Sequence, residues 1–483
     1  MITQTQFSPV LKHSIHFIGI GGIGMSGLAY LLAKGGHKIS GSDLQPNPQT
    51  EKLSKNGVSI HYGHRPDLVE GVDQVVYSTA IADSDPELMR SRALGIEVLH
   101  RSQVLAALSI SKKLIGISGT HGKTTTTSMM GTLLCDADLD PMVVIGAQVD
   151  SLGGNAKAGS GEYLVAEVDE SDRSLLHFHP EIAIVTNVEA DHLDHYAGID
   201  DIVDTFHQFI SQSKHWIACL DDPNIAERLV PSSPVPWTGY SLDSHPLAQY
   251  RADEVRYGAE CTRARIWEGK EILGTLELGV LGRHNLSNAL SVVAVARTLG
   301  LPFSIIAQSL KRFRGAQRRF QERGVRDGVV FIDDYAHHPS EIRVTLATAK
   351  LYPNHRVVAI FQPHRYTRTK ALLTEFSTAF QDADVVVLTD IYSAGEAFSG
   401  IDGSHVADAV RQHHPNVHYC PSLGDVSQWL KLHLCPGDMA VFLGAGNINR
   451  VITEILQLAP LTPKEPLTGQ QEHSERAPET MRT

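Results

Sequence analysis

Short hydrophobic runs alternate along the chain with glycine turns and with stretches whose apolar residues recur at helical spacing. Three units share this order of strand, glycine turn and helix, which is typical of α/β proteins. In each unit the predicted strand, turn and helix are, in that order, residues 15–20, 19–24 and 25–33; residues 114–118, 119–124 and a helix through 134; and residues 439–443, 444–446 and 448–456.

Other β-branched runs lie between helical patterns and predict a largely parallel α/β sheet structure. These runs are residues 75–77, 182–186, 329–332, 357–361 and 385–388. A chain of 483 residues exceeds one ordinary core, so two to four domains are expected. Boundaries are predicted in the polar stretch 109–113 and the basic segment 312–326, and the Pro-rich, polar sequence from 459 onward is expected to be disordered.

Composition narrows the class of protein. Hydrophobic residues make up 42% and charged residues 20%, a globular balance, and the net charge of −12 argues against nucleic acid and anionic membranes as partners. Five cysteines without a C-x-x-C pair favour a reducing cytosol over a disulfide framework or a zinc ribbon. No signal peptide and no apolar run near the roughly 20 residues of a membrane helix is visible, so a cytoplasmic protein without membrane insertion is expected.

The first glycine turn has the pattern G-x-G-x-x-G, formed by Gly19, Gly21 and Gly24. Glycines there let backbone N–H groups approach a pyrophosphate at the positive end of a helix, and Asp43 stands where an acidic residue meets a ribose. The alternatives are a tight turn without a ligand and an NAD-dependent oxidoreductase. The unit ends near residue 108, which leaves room for one mononucleotide-binding half, so a pyrophosphate ligand is favoured over a nicotinamide.

The second glycine turn, Gly-Thr-His-Gly-Lys-Thr at 119–124, is a variant phosphate loop and the strongest signal in the chain. Its two glycines are separated by two residues rather than the usual four. Gly122 permits close approach of the backbone, Lys123 can reach the β- and γ-phosphates of ATP, and the Thr124 hydroxyl can bind Mg²⁺.

Carboxylates that would complete a metal site follow this loop. Glu167 lies at the end of an apolar strand, where burial without a cation would be costly. Asp169, Glu170 and Asp172 come next, and for some of these three a solvated acidic turn is the expected environment. His192 follows a further apolar strand, so two Mg²⁺ ions are predicted, one held by Thr124 and Glu167 and the other by Glu167 and His192.

Taken together, these segments resemble the Mur ligase family of peptidoglycan synthesis over about residues 14–456. Each piece is short, but their order and spacing match the family. The matching segments are GIGGIGMSG (19–27), GTHGKTTTT (119–127), EVDESD (167–172), TNVEADHLDHY (186–196), GRHNLSNALS (282–291), RRFQ (318–321), DDYAHHPSE (333–341), FQPHRYTRT (361–369) and LGAGNI (443–448).

The resemblance implies three domains and an ATP-dependent ligation. A Rossmann-like domain that binds a uridine nucleotide is expected at 1–110, a central P-loop ATPase domain at 111–322, a Rossmann-like amino-acid-binding domain at 323–460, and a disordered tail at 461–483. ATP and Mg²⁺ are the implied cofactors, and UDP-N-acetylmuramate and L-alanine the implied substrates.

The resemblance also assigns residues. Lys123, Glu167, His192, Arg319 and Asp334 are the expected catalytic group. ATP would be bound by Gly119, Thr120, His121, Gly122, Lys123, Thr124, Thr125, His284, Asn285 and Asn288. The UDP part would be bound by Gly19, Gly21, Gly22, Gly24, Ser42 and Asp43. The amino acid would meet His337, His338, His364, Arg365 and Arg368.

Several alternatives stay open at the level of sequence. The choice between His337 and His338, and that between Arg318 and Arg319, is unresolved, and no lysine stands out as the carbamylated metal ligand of some relatives. A murein-peptide ligase, which joins a tripeptide to the same nucleotide sugar, is the nearest rival. More distant are a folate polyglutamate ligase, a nucleotide-sensing regulator without chemistry and a P-loop GTPase, for which no convincing N-K-x-D segment is found.

Overall fold

The computed structural model describes residues 10–192 and 195–457. It contains three β-sheets, each flanked by helices, and confirms the predicted α/β architecture. The tail predicted to be disordered at 461–483 lies outside the described residues.

The first sheet is fully parallel and has the strand order β3-β2-β1-β4-β5. Its first strand contains the apolar run that the sequence predicts, and its first helix follows the glycine turn. The strands are β1 Ser14–Ile18, β2 Lys38–Asp43, β3 Ser59–Tyr62, β4 Gln74–Tyr77 and β5 Glu97–His100; the helices are α1 Ile23–Lys34, α2 Pro48–Lys55, α3 Pro86–Ala93 and α4 Arg101–Ser109, with a 3₁₀ turn at Pro66–Val69.

The second sheet has ten strands in the order β15-β14-β13-β12-β11-β10-β6-β9-β7-β8. Its strands are β6 Lys113–Ser118, β7 Met142–Val149, β8 Gly154–Lys157, β9 Tyr163–Glu167, β10 Ile182–Val185, β11 His215–Cys219, β12 Trp237–Ser241, β13 Tyr250–Tyr257, β14 Thr262–Glu268 and β15 Glu271–Leu278. Its helices are α5 Lys123–Asp136, α6 Ile199–Ser211, α7 Arg283–Thr298 and α8 Phe303–Arg312, with 3₁₀ turns at Asp150–Leu152 and Ser174–His177 and a π turn at Ile225–Leu229. The centre is parallel, whereas β7 with β8 and the strands β13, β14 and β15 pair antiparallel.

The third sheet has the order β16-β17-β21-β18-β19-β20, with only β16 antiparallel to its neighbour. Its strands are β16 Gln321–Arg326, β17 Val329–Asp334, β18 Arg356–Phe361, β19 Val385–Leu388, β20 Val417–Tyr419 and β21 Asp438–Leu443. Its helices are α9 Pro339–Ala349, α10 Tyr366–Ala371, α11 Leu373–Ser377, α12 Gly403–Arg411, α13 Leu423–His433 and α14 Asn449–Gln457. Because β16 begins at Gln321, it crosses the limit predicted between 322 and 323; the domain limits themselves stay predictions.

Hydrophobic packing joins the first two sheets and leaves the third with cores of its own. One buried cluster runs continuously from Ile15 in β1 to Ala316 after α8. Two further clusters cover the two faces of the third sheet. In α1, Gly27 permits a close approach to β8, since a Cβ there would lie 3.2 Å from Asn155 Nδ2. The contacts of the third sheet with the second therefore depend mainly on the polar side chains described below.

The predicted strands and helices at the three glycine turns are all present, with ends shifted by one or two residues. The antiparallel additions to the second and third sheets are not among the sequence predictions. Among the described residues, no helix is long and apolar enough to cross a membrane.

Candidate active site

The turn between β6 and α5 has the backbone that a phosphate loop requires. Gly119 and Gly122 have φ angles of +132° and +84°, in the range that favours glycine. A Cβ at Gly119 would lie 2.1 Å from Thr186 Oγ1, and one at Gly122 would lie 2.6 Å from Asn288 Oδ1. Neither position has room for a side chain, so the turn presents backbone at the N-terminus of α5, where anions bind favourably.

Lys123 is the first residue of α5, and its ammonium group folds back over the turn. Its Nζ donates to the carbonyl oxygens of Gly119 at 2.6 Å and Thr120 at 3.1 Å, and to Glu170 Oε1 at 2.8 Å. Burial lowers the pKa of Lys123, but the nearby carboxylates, Glu170 foremost, outweigh it and raise the pKa above its ordinary value. The lysine is therefore cationic and already held at the phosphate loop.

Thr124 and Glu167 meet at the carboxyl end of the central strands. Thr124 Oγ1 donates to the two carboxylate oxygens of Glu167 at 3.1 and 3.0 Å, and the Gly146 N–H donates to Glu167 Oε2 at 2.9 Å. Arg319 Nη2 donates to Thr124 Oγ1 at 3.3 Å. A hydroxyl and a carboxylate side by side at a phosphate loop are suitable oxygen ligands for Mg²⁺.

His192 lies near Glu170, the carboxylate that pairs with Lys123. Its Nε2 is 3.8 Å from Glu170 Oε1 and 3.5 Å from Asp191 Oδ2. Burial lowers the pKa of His192, which leaves the imidazole neutral and able to bind a metal. Its part in a second Mg²⁺ site with Glu167 stays a prediction.

A cavity of about 220 Å³ opens beside the phosphate loop, between the second and third sheets. Residues from two predicted groups share its wall: the ATP-binding residues His121, Gly122, Thr125, His284, Asn285 and Asn288, and the catalytic residues Arg319 and Asp334. A larger cleft of about 1160 Å³ shares Asn187, Glu189 and His284 with it. Six of the ten predicted ATP-binding residues thus line one cavity, although the residue assignment itself stays a prediction.

The two neighbouring arginines that the sequence leaves open have different surroundings. Arg318 donates to the Gly444 carbonyl at 2.5 Å and pairs with Asp333 at 3.4 Å, both within the third sheet. Arg319 instead reaches Thr124 of the phosphate loop. The geometry therefore favours Arg319 for contact with a nucleotide and gives Arg318 a structural role.

Asp334 ends β17 and faces the same groove. It accepts from the Phe320 N–H and the Ala336 N–H, each at 2.7 Å. Burial raises the pKa of Asp334 to about 6, against the opposing charge of Arg319. This carboxyl group fixes the segment that carries Arg319 to the third sheet.

Several of the residues predicted to bind the amino acid form a second group, around Arg368 and Asp191. Arg368 Nε pairs with Asp191 Oδ1 at 3.2 Å, and its Nη1 is 3.5 Å from His364 Nδ1. The rings of His337 and His364 are 5.9 Å apart. A cavity of about 180 Å³ adjoins this group and is lined by Ala190, Asp191, His192, Arg365, Thr367, Arg368, Ala371 and Leu372.

His337 and His338 point to different places. His337 belongs with His364 near the small cavity, and its Nδ1 lies 3.0 Å from the Tyr335 carbonyl. His338 caps α9 by accepting from the Ser340 N–H, and its ring centre is 4.9 Å from that of His121. The arrangement favours His337 over His338 for the amino-acid end.

The histidines of this end are kept neutral. Burial lowers the pKa of His337 to about 4, although Glu341 opposes the shift. Burial also lowers the pKa of His364 to about 3, with further help from His337 and from nearby arginines. Each ring is therefore neutral near pH 7 and keeps a lone pair that can accept a hydrogen bond.

The first glycine turn connects β1 with α1. Gly19 has a φ of +72°, Gly22 precedes α1 as its N-cap and Gly24 is inside the helix. The Gly21 N–H is bonded to Asp43 Oδ2 at 2.8 Å, so Asp43 fixes the turn itself. Ser42 is fully buried and donates to Glu87 Oε2 at 2.7 Å. The predicted contacts of Ser42 and Asp43 with a nucleoside stay untested predictions.

A cavity of about 330 Å³ extends from this turn to the phosphate-loop region. It is lined by Gly22, Ile23, Gly24, Met25, Leu28, Ser78, Thr79, Ala80, Arg101, Leu105, Val144, Ile145, Gly146, Glu167 and Asp169. It therefore links the proposed pyrophosphate turn with the proposed metal carboxylate. A ligand along it would have one end at the first sheet and the other at Glu167.

Sequence reasoning missed or undervalued four charged residues. Glu170 falls in the turn for which a solvated environment is expected, yet its side chain is only 3% exposed and pairs with Lys123. Arg101 donates to Asp169 Oδ2 at 2.7 Å, and Glu189 and Glu341 both lie beside His121. A lysine in a phosphate loop needs a carboxylate partner when it is buried, so Lys123 could have pointed to Glu170. No local sequence pattern identifies Arg101.

Three family models match the chain in succession. They are the Mur ligase family catalytic domain at residues 14–113, the Mur ligase middle domain at 117–296 and the Mur ligase glutamate ligase domain at 318–446. The UDP-N-acetylmuramate–L-alanine ligase of Gloeobacter violaceus is 55% identical to this chain, and the match covers 92% of this chain and 95% of that protein. The ligase of the same name from a Synechococcus species is 51% identical, and the match covers 93% of this chain and 87% of that protein.

Solved structures agree with this comparison. The UDP-N-acetylmuramate–alanine ligase of Thermotoga maritima superposes with a TM-score of 0.80 at 29% identity, covering 92% of this chain and 98% of that chain. A murein peptide ligase from Psychrobacter arcticus has a TM-score of 0.71 at 23% identity, covering 92% and 99%, which shows a shared fold.

The fold and the site define an α/β protein built around a phosphate loop, with a groove between two sheets. The chain belongs to the Mur ligase family.

Proposed function

We propose that this protein is an ATP-dependent ligase that joins L-alanine to UDP-N-acetylmuramate through an acyl phosphate, in peptidoglycan precursor synthesis. One observation carries the proposal: Lys123, Thr124, Glu167 and Arg319 converge at the phosphate loop, beside cavities that lead to the first and third sheets. The named ligases that match more than nine-tenths of the chain support the same substrates.

The phosphate loop would hold the triphosphate of ATP. The backbone of residues 119–122 would face the phosphates at the N-terminus of α5, and the Lys123 ammonium would offset negative charge on the β- and γ-phosphates. Two Mg²⁺ ions, one bound by Thr124 and Glu167 and the other by Glu167 and His192, would neutralise further phosphate charge. The hydroxyl, the carboxylate and the neutral imidazole of these residues are suitable ligands for these ions.

The substrate carboxylate attacks the γ-phosphorus, and the bond between that phosphorus and the bridging oxygen breaks as ADP leaves. An oxygen of a free carboxylate is a poor leaving group, whereas phosphate leaves readily, so this step activates the carbonyl carbon. Lys123 and Arg319, which both contact the phosphate loop, would stabilise the charge on the transferring group. The cavity that joins the first glycine turn to Glu167 would orient the nucleotide-linked substrate for this attack.

The amine of L-alanine then attacks the acyl phosphate, and inorganic phosphate leaves from the tetrahedral intermediate. The ammonium group loses a proton to solvent before the attack, and a neutral His337 or His364 would accept a hydrogen bond from the resulting amine and orient it. Arg365 and Arg368 offer guanidinium groups to the alanine carboxylate. Because Arg368 also pairs with Asp191, its contact with alanine would be shared with that carboxylate.

The proposal extends to organisation and location. Domains at 1–110, 111–322 and 323–460 would each contribute one substrate-binding region, and limited proteolysis that cuts first inside these ranges would contradict the division. A cytoplasmic location is supported by cysteines that are all free. Recovery of the enzyme outside the cytoplasmic fraction of fractionated cells would contradict this location.

The test measures phosphate release with ATP, Mg²⁺ and UDP-N-acetylmuramate while L-alanine, glycine, L-serine or the murein tripeptide is added alone. We expect release with L-alanine and a product mass increased by one alanyl unit. Turnover with the tripeptide only would assign the chain to the murein-peptide ligases. No turnover with any acceptor, despite folding and ATP binding, would favour a nucleotide-sensing regulator and reject the mechanism.

A further inference from the structure

A second group of metal-binding side chains lies where the second and third sheets meet, apart from Thr124, Glu167 and His192. His121 comes from the phosphate loop, Glu189 from the loop after β10 and His338 from the N-cap of α9. One nitrogen of each histidine and one oxygen of Glu189 all lie within 4.8 Å of one another. The three side chains therefore come from separate elements and converge at one point.

The individual distances are close to those of a coordination site. His121 Nε2 is 3.5 Å from Glu189 Oε2, and His338 Nδ1 is 4.0 Å from the same oxygen. A metal bound to His338 Nδ1 would replace the hydrogen bond that this nitrogen accepts from the Ser340 N–H. Ligands of a tetrahedral zinc ion, with bonds of about 2.0–2.1 Å, are separated by roughly 3.3 Å. Small side-chain movements would bring the three donors to that spacing.

Surrounding groups already orient these side chains. Glu341 Oε1 is 3.2 Å from His121 Nδ1, on the side of the ring that faces away from Glu189, and Ser340 Oγ donates to Glu189 Oε2 at 2.7 Å. A carboxylate on the far nitrogen of a ligating histidine is the usual support of a zinc ligand. Glu341 and Ser340 therefore hold two of the three candidate ligands in position through hydrogen bonds.

Burial and unused polar atoms point to a cation at this place. His338 is 5% exposed, and the buried Nε2 of His121, which faces Glu189, has no hydrogen-bond partner among the described residues. This nitrogen is therefore available to bind a cation.

We propose that His121, Glu189 and His338 form a binding site for a zinc-type transition-metal ion that bridges the phosphate loop and the third sheet. Two imidazoles and one carboxylate suit Zn²⁺ or Co²⁺ better than Mg²⁺, which prefers oxygen ligands. Three protein ligands leave a fourth position open to water or to an anionic ligand. Two of these ligands, His121 and His338, also belong to the predicted ATP-binding and amino-acid-binding residues, but metal binding can be measured without the ligase reaction.

A metal in this position would join two parts of the molecule that otherwise meet through polar contacts. Glu189 and His338 also line the large cleft beside the phosphate loop. An ion held between them would fix the spacing across that cleft, and Zn²⁺ binding would therefore restrain any movement of the third sheet relative to the phosphate loop.

The test titrates the full chain, freed of metal by a chelator and without nucleotide or Mg²⁺, with Co²⁺ while visible absorption is recorded. We expect a four-coordinate Co²⁺ spectrum that saturates with a single equivalent and is displaced by Zn²⁺. Glu189→Gln should weaken binding at least tenfold, since an amide is a poorer ligand than a carboxylate. Glu341→Gln should weaken it by roughly 10- to 100-fold, because it removes the support of His121.

Matched variants show whether Co²⁺ binds at this site or at the proposed Mg²⁺ site. They also show whether a lost spectrum results from a lost ligand or from unfolding. His192→Ala alters the proposed Mg²⁺ ligands and should leave the Co²⁺ spectrum unchanged. His338→Asn removes the imidazole while providing another residue that caps a helix, so its loss of binding would not reflect a missing cap. Thermal unfolding would verify that each variant folds. No four-coordinate spectrum in the wild type, an unchanged spectrum in Glu189→Gln, or loss of the spectrum in His192→Ala would overturn the proposal.

Discussion

At the scale of single residues, the site depends on charges that are buried together with their partners. Lys123 and Glu170 have side chains that are only 14% and 3% exposed. An isolated charge in such surroundings would be costly, so each group makes the burial of the other possible. The lysine is thereby fixed at the phosphate loop before any substrate binds, which reduces the reorganisation needed during phosphoryl transfer.

Replacement of Lys123 by alanine is expected to lower kcat for phosphate release by about 100- to 1000-fold, because a positioned charge at the transferring phosphate is lost. Lys113→Ala is the control: this lysine pairs with Glu162 at 2.7 Å on the surface, and its side chain is 48% exposed. Its kcat should stay within about twofold of wild type, since exposed pairs contribute little. Comparable kcat values for the two variants would contradict the assigned role of Lys123.

Asp334 should give the stability of the protein a distinct pH dependence. Its pKa is about 6 in the folded protein and near its ordinary value of 3.8 in the unfolded chain. The folded state binds the proton more tightly, so this contribution is complete below pH 3.8 and is lost as the pH rises through about 6. A shift of about two units corresponds to about 3 kcal/mol.

Asp334→Asn removes this titration, and chemical denaturation from about pH 4 to 7 would measure its effect. The asparagine lowers stability by a roughly constant amount, since one of two backbone N–H groups loses its acceptor. Relative to wild type, the variant should gain up to about 3 kcal/mol in free energy of unfolding as the pH rises. A difference that is independent of pH would mean that Asp334 stays ionised in the fold.

At the scale of elements, the turn between β6 and α5 decides where a phosphate can bind. Its glycines combine positive φ angles with close neighbours, so both the conformation and the space exclude other residues. The neighbour of Gly122 is Asn288 in α7, which means that the turn and a distant helix fix one another. The conformation of the turn therefore depends on α7 as well as on β6 and α5.

Gly122→Ala is expected to lower ATP-dependent turnover by about 100-fold, because the added Cβ displaces the turn and a movement of about 1 Å can cost that much. Gly300→Ala is the matched control, since Gly300 also has a φ of +80° but no atom within 4 Å of its Cβ position. The control should lose about 1–2 kcal/mol of stability from strain and keep its ATP-dependent turnover, measured as phosphate release. Equal losses of turnover in both variants would show that strain alone is responsible.

At the scale of the whole molecule, the three sheets are joined in two different ways. A continuous hydrophobic cluster connects the first sheet to the second, whereas ion pairs and hydrogen bonds connect the second to the third. Polar interfaces between domains allow relative movement more readily than apolar ones. We therefore expect the third sheet to be the part that closes over ATP.

Arg101 provides a test of the connection between the first two sheets. Arg101→Gln removes the ion pair with Asp169 in the cavity that leads to Glu167, and KM for UDP-N-acetylmuramate should rise by about 10- to 100-fold. KM for ATP should change by less than about threefold, because Arg101 is outside the groove beside the phosphate loop. Steady-state kinetics with each substrate varied would measure both constants.

Arg92→Gln is the control for this experiment. Arg92 also belongs to the first sheet region, and it pairs with Asp83 on the surface, where the carboxylate is 87% exposed. Its loss should leave both constants near wild type. If Arg101→Gln raises the KM for ATP as strongly as that for the nucleotide sugar, the residue acts on global packing and its predicted specific effect on the cavity that leads to Glu167 is wrong.

The sequence by itself determined the α/β class, the glycine turns and the elements that flank them. These features depend on local rules: alternation of apolar runs with helical patterns, and the need for glycine where a turn meets a phosphate. Lys123, Thr124 and Glu167 could be singled out for the same reason, since their chemistry is tied to a turn and a strand end that are visible in the chain.

Only the tertiary structure decided which distant residues meet. It separates His337 from His338 and Arg318 from Arg319, because neighbours in sequence point to different elements. It also buries Glu170, which the sequence places in a polar turn and which the fold sets beside Lys123. Pairing and burial of this kind depend on contacts between residues far apart in the chain, and a local pattern does not specify them.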